Sequence, residues 1–598
     1  MSKILGIDLG TTNSAVAVYH DGEARVIGPT ANRKLVPSMV TFLDKKSTLV
    51  GEAARDQQVL QPENTVYSIK RFMGRRCHEV EREERLVPYP IVGKDNDYCK
   101  VSVGKKAYTP QQISAVILRE LRRLAEEELE ETCDRAVITV PAHFTDAQRQ
   151  ATRDAAKIAG LEVMRIINEP TAAALAHGVE QRGDRHIVVF DFGGGTFDLA
   201  VMRIKGGTFE VLASTGNTHL GGDDFDQRII DVVADDFVRR EAIDLRQNPM
   251  TLQRLKQAAA KAKAELSDRP VAEIMLPYVH MDTNNQPKHL QYSMTRERFE
   301  SVCEDLFGEV RDACRAVVRE AMIPPGSIDD VVLVGGSTRI PKVQKLAMEV
   351  FQTDQLDRSA NPDEVVALGA ATLGGVLQGD LQNVHLMDVT AHGFGVAAAG
   401  GRMDTVVNKN TPIPTVVKKI FSTPSDNQRS VPIQILEGEK TRVEDNRPLG
   451  TFQLNGIRKA LRGVPRIEVS FSIDANGILD VTATDLDSGK TQNIVVTGSY
   501  GMEEDEIEQM RHEAEGFDEA AEQQQVVVEL RNHAQQVHHN LTQWLTHNAG
   551  VMPPRQGRKL EAALQHLGKA VASDNTRGMK KALKQIDELW QGQYRQAG

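Results

Sequence analysis

Cysteine is scarce in this sequence and irregularly placed. The 598 residues contain five cysteines, which are odd in number and form no C-x-x-C pair: Cys77, Cys99, Cys133, Cys303 and Cys314. Disulfide frameworks and structural zinc sites need several thiols at short, regular spacings. The sequence therefore predicts free or buried thiols in a reducing compartment, and it argues against a disulfide scaffold or a cysteine metal site.

Long apolar runs and basic patches are also lacking. No stretch approaches the roughly 18 apolar residues of a membrane-spanning helix, and Ile4–Ile7 follows a single lysine without a signal-peptide pattern. The formal net charge is −11 and aromatic residues make up 5%. No basic, aromatic-laced surface therefore favours nucleic acid or an anionic membrane. We expect a cytoplasmic protein that binds neither.

Two common nucleotide-binding motifs are missing as well. The P-loop pattern G-x-x-x-x-G-K-[ST] does not occur, which argues against a P-loop fold. The spaced glycines Gly393, Gly395 and Gly400 lie in a strand-like region and open no helix, so they do not form a dinucleotide fingerprint.

Three glycine turns that follow apolar strands are present instead. They lie at 4–13, 187–198 and 331–339, and the first two have an acid, Asp8 or Asp191, at the end of the strand. Glycine lacks a Cβ, so the backbone N–H groups of such turns can approach a phosphate closely. A plain hairpin would explain one glycine turn by itself. Two turns with the same order of residues indicate a duplicated unit.

The three turns resemble the two phosphate loops and the adenosine loop of the actin, sugar-kinase and heat-shock ATPase fold. Together with the rest of the chain to about Gly550, they resemble the seventy-kilodalton heat-shock chaperones of the bacterial DnaK type. The resemblance implies a multidomain protein with a duplicated α/β actin-like ATPase domain (1–380) and an interdomain linker (381–388). A β-sandwich substrate-binding domain (389–500) and an α-helical lid bundle (501–598) would follow.

The residue patterns agree with this division. Strand-like and helical segments alternate up to about residue 380, which is typical of α/β architecture. Short alternating segments such as Ile467–Ile473 follow, and charged amphipathic helical repeats begin after Gly501. The length alone predicts three or four domains.

The resemblance also implies which residues bind and hydrolyse ATP. Asp8 and Asp191 would hold hydrated Mg²⁺, and K⁺ is a further expected ion. The implied catalytic residues are Lys70, Glu169, Thr196 and Asp198. The residues expected to hold the nucleotide are Gly10, Thr11, Thr12, Gly194, Gly195, Thr196, Lys263, Ser267, Gly335, Gly336, Ser337, Arg339 and Asp363. From its sequence context alone, Glu169 is either a surface helix cap or an acid in a cleft.

Coupling residues and a peptide cleft are implied in the same way. The coupling residues would be Pro141, Arg149, Leu386 and Asp388. The cleft would be formed by Phe394, Val396, Ala399, Phe421, Pro424, Val431 and Ile433, although core packing would explain any one of the apolar positions. The partners expected from the resemblance are unfolded or apolar peptide segments, a J-domain co-chaperone and a nucleotide exchange factor.

Several positions depart from the family pattern. Ala260 replaces a glutamate near the ribose, so we expect weaker ATP binding. His385 interrupts the apolar linker; it either packs there as a neutral side chain or makes linker docking weaker or pH-sensitive. Ala399 and Pro424 predict a more open arch over the peptide. In the lid, Gln535 replaces an acid although His539 is retained, which predicts a weaker latch to Asp426 and Arg462 and faster peptide release.

Three functional classes compete at this point. An ATP-driven peptide chaperone uses every segment, and it is either a general folding factor or a specialised paralogue such as an iron–sulfur assembly type. A small-molecule kinase of the same nucleotide fold leaves the C-terminal region without a role. A non-hydrolysing relative, such as a filament protein or an exchange-factor-like scaffold, is opposed by the retention of Lys70, Thr196 and Asp198.

Overall fold

The computed structural model describes most of the chain. The described residues are 2–43, 47–178, 183–281, 286–358, 361–398, 400–495, 502, 504–514, 530, 534, 537–538, 541–542, 554–573 and 575–594. Residues 1–41 with 50–514 form one compact unit, and residues 42–49 with 515–598 form another.

The strands and helices follow one another along the chain. The strands are β1 Ile4–Asp8, β2 Asn13–His20, β3 Glu23–Ile27, β4 Val36–Pro37, β5 Met39–Phe42, β6 Thr48–Val50, β7 Thr65–Tyr67, β8 Ile91–Val92, β9 Lys100–Val103, β10 Lys106–Tyr108, β11 Arg135–Val140, β12 Glu162–Asn168, β13 Asp184–Phe192, β14 Phe197–Lys205, β15 Thr208–Asn217, β16 Val271–Met281, β17 Pro287–Thr295, β18 Asp330–Val334, β19 His385–Val389, β20 Phe394–Ala398, β21 Arg402–Val407, β22 Pro412–Ile413, β23 Thr415–Phe421, β24 Ser430–Glu437, β25 Arg447–Asn455, β26 Ile467–Ile473, β27 Leu479–Asp485 and β28 Thr491–Val495. The helices are α1 Glu52–Gln57, α2 Glu81–Glu84, α3 Pro110–Leu129, α4 Asp146–Ile158, α5 Glu169–Gly178, α6 Gly222–Glu241, α7 Pro249–Asp268, α8 Arg296–Val302, α9 Glu304–Ala321, α10 Pro341–Phe351, α11 Val365–Gln378, α12 at 504–514, α13 Pro554–Ala572 and α14 Thr576–Tyr594.

Two sheets in the α/β part repeat one arrangement. The first has the order β12-β11-β1-β2-β3, and the second contains the order β18-β13-β14-β15. In each, a hairpin of two antiparallel strands carries a third antiparallel strand on one side and a parallel strand on the other. The duplicated unit expected from the two glycine turns is therefore visible as two sheets of matching order and direction.

Helices cover both faces of the second sheet, and the side chains of β13 therefore alternate between two apolar cores. Val188, Phe190 and Phe192 point into a core shared with α6, α7, α9 and α10. Ile187 and Val189 point into a second core with α5 and α11. Side chains of a strand alternate between faces, so a strand buried on both sides reads as one continuous apolar run.

The start of helix α3 confirms a local prediction. Thr109 occupies the cap position, where its Oγ1 accepts the Gln112 N–H at 3.2 Å, and Pro110 is the first helical residue. Proline is well placed there because the first N–H groups of a helix have no intrahelical partner. The buried face of the helix includes Ile113, Ile117 and Leu121, as the apolar spacing predicts.

The described residues between Val389 and Val495 form an all-β segment, as their alternation predicts. Its two sheets have the orders β21-β20-β24-β25 and β23-β26-β27-β28. One apolar core, which includes Ile435, Leu454, Phe471 and Val481, is shared by strands of both sheets, so they pack face to face.

The linker segment contains a strand. Residues 385–389 form β19, which pairs in parallel with β15 through His385↔Thr208 and Leu386↔Phe209 and antiparallel with β22. The sequence-based prediction treated 381–388 only as a connection. The backbone of residues 385–389 instead extends the edge of the second sheet. There it pairs with backbone N–H and C=O groups of β15 that would otherwise be unpaired.

The C-terminal helices bury the apolar positions that the repeat predicts. Leu560, Leu564 and Leu567 of α13 and Ile586 of α14, which the apolar repeat predicts, share one core with Met579. The five cysteines are free, and four of them are buried, as the sequence predicts. Among the described residues, no helix has the length and apolar character that crossing a membrane requires.

Candidate functional site

The first two glycine turns face each other at the ends of the two matching sheets. A Cβ added to Gly194 would lie 2.1 Å from Thr12 Oγ1, and one added to Gly195 would lie 2.6 Å from Thr11 Oγ1. Glycine is therefore required by close approach at this point. The predicted strand-turn-strand at 187–198 is confirmed, since β13 and β14 pair directly with Asp191 opposite Asp198.

The second turn is tied to the start of helix α6. The N–H of Gly222 donates to Gly193 O at 3.0 Å, and the N–H of Asp223 donates to Gly194 O at 2.9 Å. Arg71 Nη2 also donates to Gly194 O at 3.2 Å. These bonds hold the turn in one conformation, and a pre-organised turn loses little entropy when it binds a ligand.

Four acids converge beside the two turns. Asp8 is the last residue of β1 and accepts a hydrogen bond from Thr139 Oγ1 at 3.2 Å. Burial and repulsion from Glu169 raise the pKa of Asp8 to about 7 and that of Asp198 to about 7. Burial and the same repulsion raise the pKa of Asp191 well above its ordinary range. Buried acids that repel one another favour a cation between them.

Lys70 brings a positive charge to these acids. It lies in a 3₁₀ turn, Ile69–Phe72, entered through Ser68 in the left-handed region at a φ of 51°. Its Nζ donates to Glu169 Oε1 at 2.5 Å, and both side chains are more than nine-tenths buried. Burial alone would lower the pKa of Lys70, but Glu169, Asp8 and Asp198 outweigh it and raise the pKa above its ordinary value.

Glu169 is therefore an acid of the cleft rather than a surface cap. It is the first residue of α5, directly after β12, so a strand end delivers it to the site. An ion pair this deeply buried is costly to desolvate and is stable only when both partners are present.

The third glycine turn forms another wall of the same site. Gly335 has a φ of 81°, and a Cβ there would lie 2.5 Å from Phe192 O. Ser337 Oγ donates to Gly193 O at 2.9 Å, which ties this turn to the second one. Arg339 and Asp363 form an ion pair at 2.8 Å.

Helix α7 supplies the opposite wall. Lys263 Nζ donates to Gly222 O at 2.7 Å and pairs with Asp226 at 3.0 Å. Ser267 lies one turn further along the helix, and Ala260 lies one turn before Lys263. All three face the same cleft.

The cleft between these elements has a volume of about 820 Å³. Every residue expected to hold the nucleotide lines it, as do Lys70 and Glu169. Asp198 is buried beside it. Sequence reasoning missed further lining residues: Asn13, Asp223, Asp226, Gln344 and Arg358. Asn13 directly follows the first turn and could have been found from that position; the others have no local sequence signal.

The acids fit a hydrated cation better than a permanent metal centre. Two carboxylates, Asp8 and Asp191, lie at strand ends beside the phosphate-type turns. In the described part of the chain, no group of three or more His, Cys, Asp or Glu is arranged to hold a metal by itself. Mg²⁺ usually keeps several waters and needs only one or two carboxylates together with substrate phosphates. The donor set therefore fits Mg²⁺ that arrives with a nucleotide.

A buried hydrogen-bond chain leads from the site to β19. Arg149 in α4 donates to the carbonyls of Ala142 and Phe144 at 3.2 Å each, beside the buried Pro141, and to Asn168 Oδ1 at 2.6 Å. Asn168 Nδ2 donates to both oxygens of Asp388 at 3.0 Å. Arg149 and Asp388, both expected in coupling, are thus joined through Asn168, which sequence reasoning missed.

The β part of the chain, residues 389–495, contacts α4 at several further points. Leu479 N–H donates to Asp146 Oδ1 at 3.0 Å, and Arg149 Nη1 donates to Asn476 O at 3.4 Å. Arg447 binds the Thr145 hydroxyl. Burial raises the pKa of Asp146 to about 7. Leu386 is half-buried against the core of the second sheet, whereas His385 is exposed, which disagrees with the alternative in which His385 packs in the linker.

The expected peptide-cleft residues share the core of the β sandwich. Phe394, Val396 and Ile433 are buried, and Phe421 and Val431 pack against them. Pro424 is exposed in the turn between β23 and β24. Ala399 lies outside the described residues, as do Gln535 and His539 of the predicted latch. On the sandwich side of that latch, the Arg462 N–H donates to Asp426 Oδ1 at 2.8 Å.

The cleft lies beside glycine turns at the ends of two sheets of matching order, an arrangement suited to a nucleotide, and β19 leads from this α/β part to the β sandwich. A family model described as Hsp70 protein matches residues 4–597. The chain belongs to the Hsp70 family.

Members of this family combine an actin-like ATPase domain with a substrate-binding domain. They hydrolyse ATP, bind it together with Mg²⁺ and act as ATP-dependent chaperones. In general they bind unfolded peptides and co-chaperones. In this general sense the chain is an ATP-dependent chaperone and an ATP hydrolase.

Proposed function

We propose that this protein binds short extended apolar segments of unfolded proteins and couples ATP binding and hydrolysis to their release and capture. The observation that carries the proposal is the buried chain from Glu169 and its neighbour Asn168 to Asp388 on β19. Any shift of Glu169 that follows the bound nucleotide moves Asn168 and so changes its bonds to the strand that leads into the β part. Coupling of this kind requires two arrangements with different contacts.

In this proposal the cleft residues have separate roles. Asp8 and Asp191 hold Mg²⁺, which neutralises phosphate charge, and the two glycine turns donate their N–H groups to the phosphates. Lys70 stabilises the charge that develops on the transferred phosphoryl group, and Glu169, Thr196 and Asp198 orient the attacking water and accept its proton. Positioning and electrostatic stabilisation account for most of the rate enhancement in phosphoryl transfer. Gly335, Gly336, Ser337, Arg339, Asp363, Lys263 and Ser267 hold the adenosine, and K⁺ is a further proposed ion.

The proposed domains are 1–380 for ATP hydrolysis, 381–388 for the linker, 389–500 for peptide binding and 501–598 for the lid. Phe394, Val396, Ala399, Phe421, Pro424, Val431 and Ile433 contribute to the peptide cleft. A J-domain co-chaperone and a nucleotide exchange factor complete the cycle. No specific observation favours a small-molecule kinase, and only the departures from the family pattern at His385, Ala399, Pro424 and Gln535 favour a narrow-client paralogue.

Phosphate release with and without an unfolded apolar peptide tests this function. We expect the peptide to stimulate the full-length protein, because peptide binding alters the β part that Asp388 joins to the site. Asp388→Asn should abolish the stimulation, and Asp380→Asn, a matched change at an exposed position near the same strand, should preserve it. Turnover that responds to a sugar but not to peptide would contradict the proposal, as would Asp388→Asn that responds like the wild type.

Ala260→Glu is expected to strengthen ATP binding about ten-fold, the effect of one charge-assisted hydrogen bond to a ribose hydroxyl. Ala260 lies on the cleft wall one turn before Lys263, so a longer acidic side chain would extend into the cleft. A fluorescent-nucleotide titration measures the change. Gln257→Glu, an added acid on the same helix outside the cleft lining, is the control and should leave the affinity unchanged. An unaltered dissociation constant for Ala260→Glu would contradict the expectation.

A further inference from the structure

Two histidines are in contact where the β part packs against the α/β part. His143 lies between β11 and α4, and His392 follows β19. Their ring centroids are 5.3 Å apart at an interplanar angle of 75°, an edge-to-face contact. His392 Nε2 donates to His143 O at 3.4 Å, and its Nδ1 lies 3.7 Å from Glu439 Oε1. Both ring nitrogens of His392 therefore face acceptors.

The backbone of His143 continues this chain into the hydrolysis site. Its N–H donates to Asp198 Oδ1 at 3.3 Å, and Asp198 is buried beside Lys70 and Glu169. A continuous series of polar contacts thus runs from Glu439 through His392 and the His143 backbone to Asp198. It is separate from the Arg149–Asn168–Asp388 chain described above.

The surroundings shift the pKa values of the two rings in opposite directions. Burial, with His392 and Lys409 nearby, lowers the pKa of His143 well below its ordinary value, and its buried Nε2 has no hydrogen-bond partner among the described residues. Burial would also lower the pKa of His392, but Glu439 and Glu437 outweigh it and raise the pKa. Relative to a free imidazole, protonation is therefore disfavoured on His143 and favoured on His392.

The elements packed around the pair supply the other charged groups. Glu437 ends β24, and Glu439 lies in the turn after it. Lys409, in the turn between β21 and β22, pairs with Glu320 of α9 at 2.8 Å. On the far side, β14 contributes Asp198, and β15 packs its Gly216 against the His143 ring, since a Cβ there would lie 3.1 Å from His143 Cδ2.

We propose that His392 is a positioning residue for ATP hydrolysis, which holds the His143 backbone so that its N–H keeps the Asp198 carboxylate oriented toward the attacking water. The inference rests on the proposed function of Asp198. It assigns to the β part a direct contribution to the chemical step: when the β part moves away, His392 leaves with it and Asp198 loses a restraint.

Single-turnover hydrolysis by the full-length protein tests this role. His392→Leu should lower the rate constant about five-fold, the effect of one hydrogen bond, and leave the ATP dissociation constant unchanged because His392 lies outside the cleft lining. His392→Gln keeps an N–H donor and should restore most of the rate. The imidazolium contribution is full below the ordinary histidine pKa and is lost as pH rises through the raised pKa. The wild-type to Leu rate ratio should therefore fall with rising pH, whereas the Gln to Leu ratio stays constant.

Glu320→Ala controls for a general loosening of the contact between the β part and the α/β part. It removes the bonds to Lys409 and Asn410 but none to the histidines. It should keep the wild-type rate and pH profile. Equal rates for His392→Leu and wild type would overturn the inference, as would equal losses in the Leu and Gln variants with a ratio that does not change with pH. A wild-type protein without any turnover would overturn the proposed function and this inference together.

Discussion

Lys70→Ala is expected to slow ATP hydrolysis at least about 100-fold, the cost of losing one charged group that stabilises a transition state. Lys70 lies more than nine-tenths buried, 2.5 Å from Glu169 and in the field of Asp8 and Asp198. Without it, the transferred phosphoryl group loses this positive charge, and Glu169 remains buried without its partner. Phosphate release under saturating ATP measures the loss.

Nucleotide binding should survive in this variant, because the glycine turns and the residues proposed to hold the adenosine are unchanged. Lys256→Ala is the matched control: Lys256 is a partly buried lysine of the neighbouring wall, whose Nζ donates to Tyr67 Oη at 3.1 Å and which does not line the cleft. It should hydrolyse ATP at close to the wild-type rate. A Lys70→Ala protein that retains more than a tenth of the activity would show that the lysine is not required for the chemical step.

Gly369→Ala is expected to lower the free energy of unfolding by about 3 kcal/mol or more, the upper range for overpacking a core. Gly369 of α11 packs against α5, and an added Cβ would lie 1.7 Å from Ala172 O, a backbone atom that cannot rotate away. To make room the two helices must separate. Because α5 begins at Glu169, the substitution should also displace Glu169 from Lys70 and reduce turnover.

Urea denaturation followed by circular dichroism measures this effect. Gly308→Ala provides the control, since Gly308 also lies inside a helix, α9, but a Cβ there meets nothing within 4 Å. That variant should gain about 0.5–1 kcal/mol, as expected for alanine in place of glycine in a helix. Equal midpoints for the two variants would mean that the α5–α11 contact tolerates a methyl group and would refute the packing argument.

Much of the local structure could be predicted from the sequence. The turns at 4–13, 187–198 and 331–339 follow strands as expected, because an apolar run that ends in glycines has few alternative conformations. The cap of α3 and the alternating strands between Val389 and Val495 were predictable for the same reason. Each depends on neighbours within a few residues.

The contacts between residues that are distant in the chain could not be predicted from residue spacing. That Glu169 lies in the cleft depends on Lys70, which is 99 positions away, and Asn168 reaches Asp388 across 220 positions. No spacing rule connects such residues, and for Lys70 the resemblance to a known family took the place of a physical signal. Asp226, the partner of Lys263, had no signal of either kind.

The sequence by itself determined that glycine turns follow three strand ends, because the end of an apolar strand and the glycines after it depend on a few adjacent residues. Only the tertiary structure decided that residues 385–389 become a strand of the second sheet and that His392 contacts the His143 backbone beside Asp198. Burial and pairing at these points depend on which surfaces the folded chain brings together. A short segment such as 385–389 is compatible with either a free connection or an added strand until a sheet edge is there to pair with it.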